Sequence, residues 1–144
     1  VIENITKLKN VMNSYKDLVN SSPVVLVEFY AQWCPHCQRM MPIVDEIKEL
    51  LAGSATVYQL DVDRNEAIAQ DEKITGTPTF IIYRDGKEVW RNSGEMDGNV
   101  LLEKVQRYMT DNAMKETTIF TELLTALDIP HSSDYSNRRF DSMT

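Results

Sequence analysis

Val24-Val-Leu-Val-Glu-Phe-Tyr-Ala-Gln-Trp-Cys34-Pro-His-Cys37-Gln-Arg-Met-Met41 passes from an apolar run, through a cysteine pair, into a segment of helical character. The run follows the turn signal Ser22-Pro23, and its unbroken hydrophobicity predicts a central strand covered on both faces. Cys34 and Cys37 are the only cysteines in the chain, and they fall where that strand ends. A helix opening at Cys34 sets unpaired N–H groups and the positive end of its dipole beside the sulfur, which favours the thiolate. Cys34 is therefore the candidate nucleophile. Cys37 follows about one helical turn later on the same side, less exposed and near enough to bridge to Cys34.

Other readings of the pair compete. A zinc or iron–sulfur centre usually needs four ligands, and the chain adds only His36, locked between the cysteines, and His131 in the tail. A purely structural disulfide across so short a loop removes little entropy from the unfolded chain. Dithiol redox chemistry takes most of the weight because a strand leads directly into the pair.

The segment Val27 to Cys37 resembles the active site of the thioredoxin superfamily, and its Glu-Phe-Tyr-Ala-x-Trp-Cys-x-His-Cys skeleton is similar to the catalytic domains of protein disulfide isomerase. Pro35-His36 is the dipeptide of the bacterial disulfide-introducing enzyme DsbA. The resemblance continues through Pro42, Asp61-Val-Asp63, Gly76-Thr77-Pro78-Thr79, Asp85-Gly86 and Gly94, covering residues 1–110. There are departures: thioredoxin itself has Gly-Pro between its cysteines, Asp where Glu28 stands and Trp where Tyr30 stands. The Cys37-to-Pro78 spacing leaves no room for the large helical insertion of DsbA.

The resemblance implies a thioredoxin-like three-layer α/β fold, a central mixed sheet flanked by helices. It implies a thiol–disulfide oxidoreductase working through a redox-active Cys34–Cys37 disulfide with no further cofactor and no metal. Protein thiols and disulfides are the implied substrates, with a redox partner protein. It also implies a cis Thr77–Pro78 bond against the cysteines, leaving the Thr77 backbone to pair with an extended substrate. Trp33, Pro35 and Gly94 complete the expected substrate rim. Glu28, a carboxylate in an apolar strand, is expected to have a raised pKa and to accept the Cys37 proton. His36, in the turn beside Cys34, is expected to stabilise the thiolate and give the pair an oxidising or isomerising leaning. The alternatives are a general thioredoxin-type reductant and, in another class, a docking module with incidental turnover.

Along the chain, Val1 to Ile5 reads as a short edge strand with Thr6 capping a first helix, whose stripe is Leu8, Val11, Met12, Tyr15, Leu18 and Val19. The active-site helix is expected from Cys34 to Leu51, kinked at Pro42 and stopped at Gly53. Thr56 to Val62 reads as a strand, Asp61 to Asn65 as a polar turn rather than a metal site, and Glu66 to Asp71 as a short helix. Asp85-Gly86 joins Thr79–Arg84 to Lys87–Asn92 in a hairpin. Asp97 opens a helix through Tyr108 with Val100, Leu101, Lys104, Val105 and Tyr108 on one side. Residues 1–110 form the expected domain. Residues 111–144 form a C-terminal extension, with a helix over Met114 to Leu127 and a tail, or the opening of a further segment.

With 42% hydrophobic and 26% charged residues in 144, the chain suits one globular core, and it is read as a monomer. A net charge of −7 argues against non-specific binding to nucleic acid or anionic membrane. No apolar run reaches the length of a membrane span. The start at Val1 suits either a removed export signal or a trimmed chain. Leu123 to His131 faintly resembles the start of a cysteine-peptidase-like domain joined to thiol-redox membrane proteins. Together these imply an extracytoplasmic setting, with the cytoplasm as the alternative.

Overall fold

The structure is a computed structural model and describes residues 2–109. The expected extension, including the helix over Met114 to Leu127, lies outside the described residues. Chain order gives α1 (Ile2–Val19), β1 (Val24–Tyr30), α2 (Pro35–Leu50), β2 (Thr56–Asp61), α3 (Glu66–Asp71), β3 (Thr79–Arg84) and β4 (Lys87–Ser93). A last helix, α4, occupies 98–109.

The sheet order is β2-β1-β3-β4, with β1 parallel to β2 and antiparallel to β3, and β3 antiparallel to β4. The side chains of β1 alternate between two cores. Val24 and Leu26 join Phe80 and Ile82 beneath Met40, Val44 and Ile47 of α2 and Leu101 and Val105 of α4. Val25, Val27 and Phe29 join Ile81 and Tyr83 beneath Tyr15 and Val19 of α1 and Ile68 of α3. A strand sandwiched in this way has no polar face, which is why its sequence is unbroken in apolar character.

The edge strand expected at Val1 to Ile5 is absent, and α1 already begins at Ile2. The sheet takes no strand from this segment, whose backbone bonds are made within the helix instead. Thr6 does not cap the helix; its Oγ1 donates back to the Ile2 carbonyl at 3.0 Å from within it. Packing begins with the half-buried Val11 and is complete at Tyr15 and Val19, while Ile2, Ile5 and Leu8 stay exposed.

Helix α2 runs unbroken through Pro42, whose missing N–H forgoes one bond to the preceding turn. At α4, Asp97 Oδ1 accepts the Asn99 N–H at 2.8 Å, the capping role expected of it. The buried stripe of that helix is Leu101, Leu102 and Val105; Val100, expected on the same side, is exposed. Adjacent leucines at 101 and 102 let the pattern fit two rotations, and the sheet selects the one that buries both.

The β3–β4 turn places Asp85 at φ 51° and Gly86 at φ 80°, the left-handed pair that a tight hairpin requires. The Asp85 N–H donates to the Pro23 carbonyl at 2.9 Å, tying the turn to the entry of β1. A Cβ on Gly86 would stand 2.8 Å from Asn20 Cγ. Gly86→Ala is therefore expected to destabilise the fold by about 1–2 kcal/mol. Urea unfolding should show a lower midpoint at unchanged slope, and adding Asn20→Ala should recover only the part due to crowding. Full recovery would mean that backbone conformation contributes nothing.

Candidate active site

The chain turns from β1 into α2 over Ala31 to Cys34. The Cys34 N–H donates to the Ala31 carbonyl at 3.2 Å, and Gln38 Nε2 donates to the Gln32 carbonyl at 3.0 Å, closing the turn from both sides. Cys34 is the N-cap of α2, in extended conformation (φ −89°, ψ 115°), and Pro35 takes the first helical position, where a missing N–H leaves nothing unsatisfied. The sulfur thus stands at the helix mouth.

Both cysteines are free thiols, packed with Ala31 against Tyr30 and Val62. The expected contrast in exposure is absent, since Cys34 is 4% and Cys37 3% exposed. The contrast lies in protonation. A side-chain hydrogen bond with Thr77 outweighs desolvation at Cys34 and, with the N–H groups of Cys37 and His36 and the Cys37 thiol, lowers its pKa to about 7. As a thiol, Cys34 Sγ donates to the Thr77 carbonyl at 3.5 Å. Burial pushes Cys37 up, and the neighbouring Cys34 sulfur adds to the rise.

Thr77 owes its place to the loop before β3. The Thr77–Pro78 peptide is cis, and the Pro78 carbonyl accepts the Gly94 N–H at 2.8 Å. Thr79 Oγ1 donates to the Gly76 carbonyl at 2.6 Å and lies 2.9 Å from Ser93 Oγ. Gly94 has φ 96° with open space where a Cβ would stand, so backbone conformation rather than crowding favours glycine there.

Glu28 is 1% exposed and shares the parity of Val24 and Leu26, which places it on the α2 face of the sheet. Gln59, its register partner on β2, donates Nε2–H to Glu28 Oε1 at 2.9 Å. Oε2 has no partner among the described residues. Burial raises the Glu28 pKa, the Gln59 bond opposes this, and the Asp45 charge adds to it. No direct hydrogen bond joins Glu28 to Cys37 among the described residues.

The His36 ring makes its hydrogen-bond contacts with Glu95 and Arg39 rather than with the sulfur. Its Nδ1 lies 2.7 Å from Glu95 Oε1 and 2.9 Å from Arg39 Nη2, while Arg39 Nε donates to the same Glu95 oxygen at 2.6 Å. What His36 contributes to lowering the Cys34 pKa comes from its backbone N–H. Trp33 is 69% exposed, and its Nε1–H donates to Asp63 Oδ2 at 2.9 Å beside a shallow cleft that Gln32, Asp61 and Arg64 also line. Asp61 Oδ1 accepts the Asp63 N–H at 2.8 Å, so the acidic pair shapes a turn and anchors the tryptophan.

Gln59, Arg39 and Glu95 were not singled out in the sequence. Gln59 had a detectable signal, an amide within a strand that pairs with Glu28. Glu95 had none, because it meets His36 across 59 positions. No helix among the described residues is long and apolar enough to cross a membrane.

Two thiols of opposed protonation at one helix mouth, on this sheet, form the cysteine pair of a thioredoxin-like fold. The chain belongs to the thioredoxin family, whose profile matches residues 6–107, and that family works through its cysteine pair without a further cofactor. It is 39% identical over 99 residues to chloroplastic thioredoxin Y2 of Arabidopsis thaliana, covering 68% of this chain and 59% of that protein. It is 41% identical over 92 residues to protein disulfide isomerase-like 2-3 of Oryza sativa subsp. japonica, covering 63% of this chain and 21% of that one. The structure of a mutant thioredoxin from Halobacterium salinarum NRC-1 superposes with a TM-score of 0.60 at 33% identity, over 66% of this chain and 82% of that one. The chain thus spans less than two thirds of the length of the chloroplastic thioredoxins it matches.

Two pH profiles follow from these environments. Iodoacetamide should label Cys34 at a rate that rises through pH about 7 and then levels, while Cys37 stays unlabelled in the folded protein. Equal labelling of both would contradict the asymmetry. For Glu28, the folded pKa exceeds the unfolded one, so its stabilising contribution is complete below the unfolded value and disappears as pH rises through the folded value. Glu28→Gln should therefore be more stable than wild type at neutral pH, with the gain vanishing below about pH 4. Urea midpoints across that range test this, and a gain independent of pH would refute it.

Proposed function

We propose that the protein exchanges dithiols and disulfides with cysteines of other proteins, working nearer the reducing than the oxidising end of its class. The observation that carries this reading is the pair of opposed thiols, Cys34 lowered to about 7 and Cys37 raised. In the reducing direction the Cys34 thiolate attacks one sulfur of a substrate disulfide. A Cys34–substrate bond forms, the substrate S–S bond breaks, and the other substrate sulfur leaves as a thiolate. Cys37 then gives up its proton toward Glu28, attacks the Cys34 sulfur and expels the second substrate thiolate. The substrate has gained two electrons, and the protein holds a Cys34–Cys37 disulfide that a dithiol partner protein reduces again. Oxidation of a substrate dithiol is the same sequence reversed.

The direction rests on how strongly the thiolate is held. Thiols in this class range from about 7 in thioredoxin to about 3.5 in DsbA, and their potentials from about −270 to about −120 mV. A Cys34 near 7 argues for a position between these limits and closer to thioredoxin. The Pro35-His36 dipeptide favours the oxidising side, but an imidazole turned to Glu95 contributes little of that effect. A second reading, an oxidising or isomerising enzyme, draws support from Arg39, whose guanidinium is held protonated by Glu95 and, to a lesser degree, by the Cys34 charge. An oxidising role would suit an extracytoplasmic setting, a reducing one the cytoplasm.

Cys34→Ser is expected to abolish insulin reduction, and Cys37→Ser to accumulate mixed disulfides with substrate. The equilibrium with glutathione should place the wild-type pair nearer about −270 than about −120 mV. A wild-type protein that neither reduces insulin nor exchanges with glutathione would sink the proposal in favour of a docking role.

A further inference from the structure

Beside the cysteine pair, the side chains of Glu95, Arg39 and His36 meet at one carboxylate oxygen. Glu95 Oε1 accepts from Arg39 Nε at 2.6 Å and lies 2.7 Å from His36 Nδ1. His36 Nδ1 is also 2.9 Å from Arg39 Nη2, and that ring nitrogen cannot donate to Glu95 and accept from Arg39 at once. With a proton on Nδ1 the carboxylate holds both side chains; without one, Arg39 bonds to the carboxylate and to the ring, and His36 is held through Arg39. His36 and Arg39 are 60% and 57% exposed and Glu95 is 37% exposed, a setting in which ion pairs add little to stability. The backbone carrying Glu95 is nonetheless well anchored. The preceding Gly94 N–H is bonded to the Pro78 carbonyl at 2.8 Å, in the same loop that brings Thr77 to Cys34.

We infer that Glu95 is a positioning residue that holds the His36 ring and the Arg39 guanidinium off the Cys34 sulfur, and so limits how oxidising the cysteine pair becomes. The inference rests on the exchange activity proposed above. His36 lies two residues and Arg39 five residues beyond Cys34, on flexible side chains at the mouth of α2. Among the described residues neither makes a side-chain hydrogen bond to that sulfur. Once Glu95 is neutral, that competing anion is gone, and the Cys34 thiolate, whose charge already acts on Arg39, is left to draw the two side chains. Their approach would stabilise the reduced form and draw the disulfide toward reduction.

The test uses the full chain in two measurements: thiolate absorbance against pH, and equilibrium of the pair with reduced and oxidised glutathione. In that equilibrium two glutathione thiols give their electrons to the Cys34–Cys37 disulfide and leave as one glutathione disulfide. Glu95→Gln should lower the Cys34 midpoint and shift the equilibrium toward the protein dithiol by about two- to fivefold, the range of an exposed charge pair. Glu95→Asp, which keeps the carboxylate, should stay nearer to wild type. With His36→Ala and Arg39→Ala in place, Glu95→Gln should lose most of its effect. Two outcomes overturn the inference: no shift in Glu95→Gln while wild type exchanges normally, or an undiminished shift without His36 and Arg39, which would make Glu95 a bare charge. A wild type that does not exchange at all would instead defeat the function proposed above.

Discussion

Thr77 and the mouth of α2 converge on one sulfur, and the rest of the architecture exists in relation to that meeting. Neither element reaches the other through local sequence. Cys34 follows β1 and Thr77 precedes β3, and the antiparallel register pairing Phe29 with Thr79 brings the two loops to the same end of the sheet. A slip of one residue would turn every side chain of β3 to the opposite face and separate Thr77 from Cys34. The two cores prevent it, because Phe80 and Ile82 belong to one and Ile81 and Tyr83 to the other.

This rigidity permits a costly group in the sheet. Glu28 is buried with one oxygen bonded to Gln59 and the other unpaired among the described residues, an arrangement that destabilises the charged form and that a core built for stability alone would avoid. Elsewhere the fold satisfies its buried polar groups. Tyr15 and Tyr83 hydroxyls meet at 2.7 Å, Tyr83 donates to Glu72 at 3.2 Å, and Arg91 donates to the Glu72 carbonyl at 2.6 Å. The contrast singles out Glu28 and suits the proton-accepting role proposed for it. Its proton affinity is raised by burial, and it stands on the face of the sheet that α2 covers.

Much of this was legible in the chain itself. The apolar run of β1, the cysteines at its end, the Asp85-Gly86 turn and the helix–strand alternation all express local rules, and each matches an element found. Legibility failed where the outcome depended on surroundings. Ile2 and Ile5 suit a strand, yet the segment folds as the exposed first turns of α1, and the rotation of α4 was ambiguous until the sheet chose between adjacent leucines. At the site, Glu28 announced itself as a charge in an apolar strand. Glu95 could not, being one acidic residue among many until the fold set it against His36 and Arg39. The orientation of the His36 ring was hidden for the same reason: sequence places the residue beside Cys34 but says nothing about which neighbour captures its side chain.

In the proposed exchange, the opposed protonation of the two thiols also sets the order of the steps. While Cys34 carries charge, its repulsion and the bond between the sulfurs are among the causes that keep the proton on Cys37, so the second thiol does not compete for an incoming substrate. Formation of a mixed disulfide removes the Cys34 charge. That cause of the raised Cys37 pKa then disappears, leaving burial as the main opposition, and the Ala31 backbone hydrogen bond already works against it. In the proposed exchange the resolving thiol becomes easier to ionise only after there is something to resolve, and Glu28, buried on the α2 face of the sheet, is its proposed proton acceptor. Because Cys34 must be charged for attack and neutral for release, the alternation follows from the chemistry of the first step and requires no movement of the backbone.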